Sequence, residues 1–176
     1  MLAASLKISA RTEREIVITR LFDAPREVVF DAFTQPELLR RWLGVFGDWG
    51  FEVCDVDLRP GGAYRWVWRN AADGSALAVS GVVREVQRPE RLVMTERYEE
   101  PWYPGGAVNT ATFVTVNGQT LYTATLRYES REARDTVLRS PMETGLAQGY
   151  AALDAMLTSR HLDLQAHAQD PDGLLE

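Results

Sequence analysis

Among 176 residues there is one cysteine, Cys54, and there are two histidines, His161 and His167. A lone thiol forms no internal disulfide, and histidines six positions apart share no helical face, so neither a disulfide scaffold nor a zinc cluster is expected. Long apolar runs are also missing. No stretch approaches the ~20 residues that span a bilayer, and the opening MLAASLKISA lacks the basic start and apolar core of a signal peptide. A cytoplasmic protein without membrane insertion is the expectation. Basic residues are the minority, 19 against 25 acidic, for a net charge of −6, so non-specific attraction to nucleic-acid phosphates is not expected. No serine-histidine-acid set, phosphate loop or dinucleotide fingerprint is present, and Gly61-Gly62 and Gly105-Gly106 are isolated turn pairs. Hydrolase, kinase and dehydrogenase readings therefore lose their usual support, and no cofactor and no metal is expected.

What is present describes an ordinary globule: 45% hydrophobic and 25% charged residues, at a length suited to one domain with a real core. The stretch 140–160, SPMETGLAQGYAALDAMLTSR, organises the rest. Met142, Leu146, Tyr150, Leu153 and Leu157 recur at helical spacing, and Ser140, Pro141 and Glu143 form a start signal in which the serine caps an orphan amide. Gly145, Ala147, Gly149, Ala151 and Ala152 thin the helix, so it either lies close to a sheet or leaves a void beside it.

Earlier in the chain, 15–22 alternates as a first strand. Asp23 or Ala24 is expected to cap a short helix with Val28, Val29, Ala32 and Phe33 on one side, and Thr34, Pro36 and Glu37 are expected to start a second. From 51 to 129 the period becomes two. Strand-like runs at 51–58, 63–70, 77–86, 91–98, 107–116 and 120–129 alternate with short turns, Asn117-Gly118 being the clearest hairpin, and imply an antiparallel meander. A short helix over 131–139 precedes the long one. Residues 1–14 are expected to be an N-terminal extension, 15–160 the domain, and 161–176 a tail in which the helix extends briefly before DPDGLLE frays.

Strand parity places one aromatic set inward: Tyr64, Trp66 and Trp68; Leu92, Met94, Glu96 and Tyr98; Tyr122, Ala124, Leu126 and Tyr128. Rings with polar tips suit the wall of a partly wet cavity. Glu96 is the outstanding member, because burial disfavours a carboxylate's charged form and can tune it for acid or base work. Pairing with an arginine, a wet mouth or a bulge that turns it outward is the more ordinary fate of such a residue. Asp55 and Asp57 share a side but lack a third ligand, and Asp57 beside LRPGG reads as part of a turn. Cys54 reads as a small buried hydrophobe.

In this order, FDAPREVVFDAFTQPELLRRW, VDLRPGG, SGVVREVQRPERLVMTE, NGQTLYTATLRYESREARD and METGLAQGYAALDAML closely resemble the activator of heat shock protein 90 ATPase homologue family, within the START-like, or SRPBCC, superfamily. The likeness spans roughly residues 15–157. It implies an α+β helix-grip fold of β-α-α-β6-α order, in which a curved antiparallel sheet wraps a long C-terminal helix, and a cavity between them, usually for a hydrophobic small molecule. It does not imply one activity. Two departures stand out: Pro141 where the family runs on through a glycine, and Glu96 where an aromatic is frequent. The expected partner is thus a small, mostly hydrophobic molecule touching Tyr64, Trp66, Trp68, Met94, Glu96, Tyr98, Tyr122, Met142, Leu146 and Tyr150, with Trp102 on a movable rim formed by Trp102-Tyr103-Pro104-Gly105-Gly106. The alternatives are a cyclase- or dehydratase-like enzyme using Glu96, and a chaperone-interacting domain. The chaperone is the less favoured partner, since the eukaryotic co-chaperone carries an additional N-terminal domain for which this chain has no room. Nothing in the sequence opposes a homodimer.

Overall fold

A computed structural model describes residues 6–169, with side chains through residue 160 and that of Asp163. Eight antiparallel strands form one sheet: β1 (Lys7–Ala10), β2 (Glu15–Phe22), β3 (Trp49–Val56), β4 (Ala63–Asn70), β5 (Ala76–Gln87), β6 (Arg91–Tyr98), β7 (Ala107–Val116) and β8 (Gln119–Tyr128). Their order across the sheet is β1-β2-β8-β7-β6-β5-β4-β3. After β2 the chain crosses by α1 (Arg26–Thr34) and α2 (Pro36–Leu39) to the far edge, then returns hairpin by hairpin until β8 closes beside β2. Asn117 and Gly118, with φ of 50° and 78°, make the tightest of these returns. The helices α3 (Arg131–Arg139) and α4 (Met142–Gln169) follow.

The α+β helix-grip class is as expected, but the order gains a strand. Residues 7–10 pair with 16–19 as edge strand β1, although the expectation puts them outside the domain. Four residues with one partly buried apolar side chain, Ile8, are too few to show a period. The long helix also runs well past residue 160. His161 and His167 fall within its backbone, but their side chains, and the fraying expected of DPDGLLE, lie outside the described residues.

Three expected helix starts are corrected. Thr34 does not cap α2: its buried hydroxyl donates back to the Phe30 carbonyl at 2.9 Å, and Gln35 holds the cap position without a side-chain bond. Ser140 likewise donates to the Val137 carbonyl at 2.5 Å and closes α3 instead of opening α4. Pro25, not Asp23 or Ala24, stands at the cap of α1, also without a side-chain bond. Thr34 is the last residue of α1 and Ser140 the cap just beyond α3, where a carbonyl three or four residues back lies within reach of the hydroxyl. The serine that does cap is Ser130, which accepts from the Ala133 amide at 3.1 Å.

One end of the space between sheet and α4 is filled by rings. Phe33 stacks on Tyr122 at 4.5 Å and meets Trp42 edge-on at 4.8 Å, while Tyr150 from α4 stands on Phe22 at 5.4 Å. Leu153, Met156 and Leu157 bury the next turns of the helix. Arg20 is buried in the same end. Its guanidinium lies 4.9 Å from the Phe22 ring centre and donates to Asp154 of α4 at 2.5 Å and to the Leu21 carbonyl at 2.6 Å. These contacts fix the middle of α4 to β2 and β8.

Candidate functional site

The other end is hollow. A cavity of about 1230 Å³, open toward solvent, lies between β4–β8 and the first turns of α4. Met142, Gly145 and Leu146 overhang it, and a β-carbon placed on Gly145 would meet no atom within 4 Å. All the expected contact residues line this space except Tyr64 and Met94. Tyr64 lies flat over Gly81, whose missing side chain lets it approach, and its hydroxyl donates to the Thr95 carbonyl at 2.6 Å. Met94 packs into the core opposite Val83. Parity put both on the correct face, but a side chain lying along the sheet presents nothing to the hollow.

The two tryptophans of β4 differ. Trp68 is buried, with its indole nitrogen donating to the Leu43 carbonyl at 2.9 Å, whereas the buried indole nitrogen of Trp66 has no hydrogen-bond partner. Tyr122 and Tyr150 close the inner end, their hydroxyls bonded to each other and both pushed to higher pKa, chiefly by burial. At the outer end Trp102 is 41% exposed, while its neighbour Tyr103 is 4% exposed and packs edge-on against Tyr98 and Tyr128, at 5.8 and 5.4 Å. The rim is therefore pinned by Tyr103, and Trp102 is its exposed member.

Tyr103 reaches Glu96. Its hydroxyl donates to Glu96 Oε1 at 3.1 Å, and among the described residues no cation lies within ion-pair distance of that carboxyl. Burial pushes the Glu96 pKa up from its ordinary 4.5, and the Tyr103 bond offsets only part of the rise. The hydroxyls of Tyr64, Tyr98, Tyr103 and Tyr128 are all pushed up, first by burial and next by the Glu96 charge. Glu96 thus stands in a nest of tyrosines that stay neutral throughout the ordinary pH range.

Elsewhere the chemistry is quiet. Burial pushes the Cys54 thiol up to about 11 against a weaker pull from Arg40, which leaves almost no thiolate at neutral pH. Asp57 accepts from Arg59 Nε through both oxygens, at 3.0 and 2.8 Å, while its amide donates to the Ala63 carbonyl, so it tightens the β3–β4 turn. No group of three metal-capable side chains occurs among the described residues.

The family model described as activator of Hsp90 ATPase homolog 1-like protein matches residues 23–158. The chain belongs to that family. Solved structures agree on the fold: a Rhodobacter sphaeroides protein is 30% identical over 87% of this chain and 98% of its own, with a TM-score of 0.80. A Nitrosomonas europaea protein is 25% identical, covering 87% and 99%, with a TM-score of 0.74. An activator-like protein from Aeromonas hydrophila, 21% identical over 81% and 93%, shares the fold at a TM-score of 0.65. No curated protein matches the chain. As a member of the Hsp90-ATPase-activator-like family, the chain also carries wall residues that the sequence reading did not single out. Asn109 on β7 lines the hollow, and its buried Oδ1 has no partner. The signal was available: Asn109 is the polar exception on the parity that carries Ala107, Ala111 and Phe113, as Glu96 is on β6. Tyr128, inward by parity, and Tyr103, expected on the rim, line the hollow as well.

Proposed function

We propose that this protein binds a small, mostly apolar molecule bearing at least one polar group, in the hollow between its sheet and the first turns of α4. One observation carries this reading: rings fill one end of the sheet–helix space solidly and leave the other open at about 1230 Å³, above the usual 300–1,000 Å³ of small-molecule pockets. The Glu96 carboxyl lines the open end and accepts only the Tyr103 hydroxyl there. A buried carboxyl has sites for further donors, so it fits a wall that a ligand completes.

Nile red, a neutral dye that brightens in apolar surroundings, tests the hollow directly. Saturable one-to-one binding is expected, and Gly145→Phe, which places a ring where nothing stands within 4 Å, is expected to abolish it while the protein still unfolds cooperatively. Unchanged binding by that variant would locate the dye elsewhere and end the reading. Native mass spectrometry of gently purified protein should then show a reproducible adduct.

A second reading is favoured by the raised pKa of Glu96: a cyclase- or dehydratase-like activity with Glu96 as proton donor. Turnover of a bound compound with a pH profile whose Glu96 limb vanishes in Glu96→Gln would establish it. Retention of that limb would dismiss it.

A further inference from the structure

We propose that the occupant of the hollow is an amine, held by its ammonium group at Glu96 with its apolar body along the aromatic wall. This rests on the ligand-binding reading above and deepens it.

Glu96 lines the hollow from β6 and receives only the Tyr103 hydroxyl, at 3.1 Å, so its carboxyl keeps sites for further donors. Asn109 is its diagonal neighbour across β6 and β7, but its Oδ1 has no accessible surface and stands behind the wall. Beside it Tyr98, Tyr103 and Tyr128 form an edge-to-face chain of rings that brings no counter-charge to an anion.

The protein supplies no positive charge of its own here. Among the described lining residues the basic ones are Arg65 and Arg69, on the opposite strand parity from Trp66 and Trp68. Arg65 is engaged by Glu99 at 2.6 Å and Arg69 by Glu52 at 2.8 Å. Glu100 adds a further acidic side chain to the lining. A fatty acid or other anion would therefore meet Glu96 with no counter-charge, whereas an ammonium supplies the missing one.

A pH signature follows. The titratable groups facing Glu96 are Tyr103 from the rim, Tyr98 on its own strand, Tyr64 on β4, and Tyr122 and Tyr128 on β8, and all are pushed toward staying neutral. Glu96 alone then changes charge. Burial raises the Glu96 pKa and an ammonium beside it would lower it, so amine binding releases protons wherever the empty site still holds them, and affinity rises with pH over that range.

The test uses three probes of similar shape: 4-phenylbutylamine, 4-phenylbutanol and 4-phenylbutanoate, titrated by calorimetry and tryptophan fluorescence. The amine is expected to bind about tenfold or more tighter than the alcohol, with the acid weakest. Proton release, read from two buffers of different ionisation enthalpy, should accompany amine binding to the unaltered protein. In Glu96→Gln the amine should bind no better than the alcohol. If that variant fails to fold, the proton-release measurement on the unaltered protein decides alone. Alcohol or acid binding as tightly as the amine, with no proton released, would overturn the amine assignment while leaving the hollow a binding site. If none of the probes bound, and Nile red did not either, the binding-site reading would fall and this proposal with it.

Discussion

Replacing Glu96 with glutamine gives stability a pH dependence that can be worked out before measurement. Folding removes this carboxyl from water and gives it only the Tyr103 hydroxyl in return, so the folded protein holds the proton more tightly than the unfolded chain does. Below the ordinary value of 4.5 the group is protonated in both states and has no effect. As pH rises past that value, the unfolded chain releases its proton first. The native state is then disfavoured by about 1.4 kcal/mol for each pH unit until Glu96 itself ionises in the fold, after which the deficit is constant. Glutamine keeps the shape and an oxygen to accept the Tyr103 bond but never ionises. Urea unfolding of both proteins at intervals from about pH 5 to about pH 8 should therefore show the variant gaining on the parent as pH rises, with a slope near the figure above over part of that range. Two stability curves that run parallel across the range would refute the assignment of Glu96 as a buried, unpaired acid.

Other substitutions probe the framework. Gly145→Ala should raise stability by about 0.5–1 kcal/mol in urea unfolding, because the new methyl meets open space and alanine suits a helix better; a loss would mean the overhanging turn is already packed. Gly81→Ala should cost about 3 kcal/mol or more, since its β-carbon would stand 1.9 Å from the Thr95 carbonyl oxygen and β5 and β6 would have to part; an unchanged midpoint would contradict the register. Asp154→Ala should cost about 1–3 kcal/mol: the Arg20 side chain it leaves behind is only 5% exposed, while Asp154, 44% exposed, loses less. Combining it with Arg20→Met should recover most of that loss, and additive penalties from the two changes would argue against a coupled pair.

The sheet was legible because most strands keep a clean period of two. The runs 15–22, 63–70, 91–98 and 107–116 coincide with β2, β4, β6 and β7, and the stripe from Met142 to Leu157 does face the sheet. Helix starts were less legible, for a hydroxyl between two helices can serve either, and at Thr34 and Ser140 it served the earlier one. Parity also sorts faces without telling depth. Tyr64 and Trp66 share a face and a strand, yet only the second lines the hollow, because the glycine that lets Tyr64 lie down sits on the neighbouring strand. Glu96 stood out from sequence as an inward carboxyl, but its partner did not: Tyr103 comes from a turn whose path no periodicity describes.

The uneven seating of α4 has a mechanical result. From Tyr150 to Leu157 the rod is clamped by rings and by Arg20, whereas the turns from Met142 to Leu146 touch the core only in part and overhang the hollow, as a beam does past its bracket. Amide exchange should accordingly be graded along this one element, fastest where it overhangs. An occupant that props up the free arm would slow exchange there without disturbing a single strand pairing.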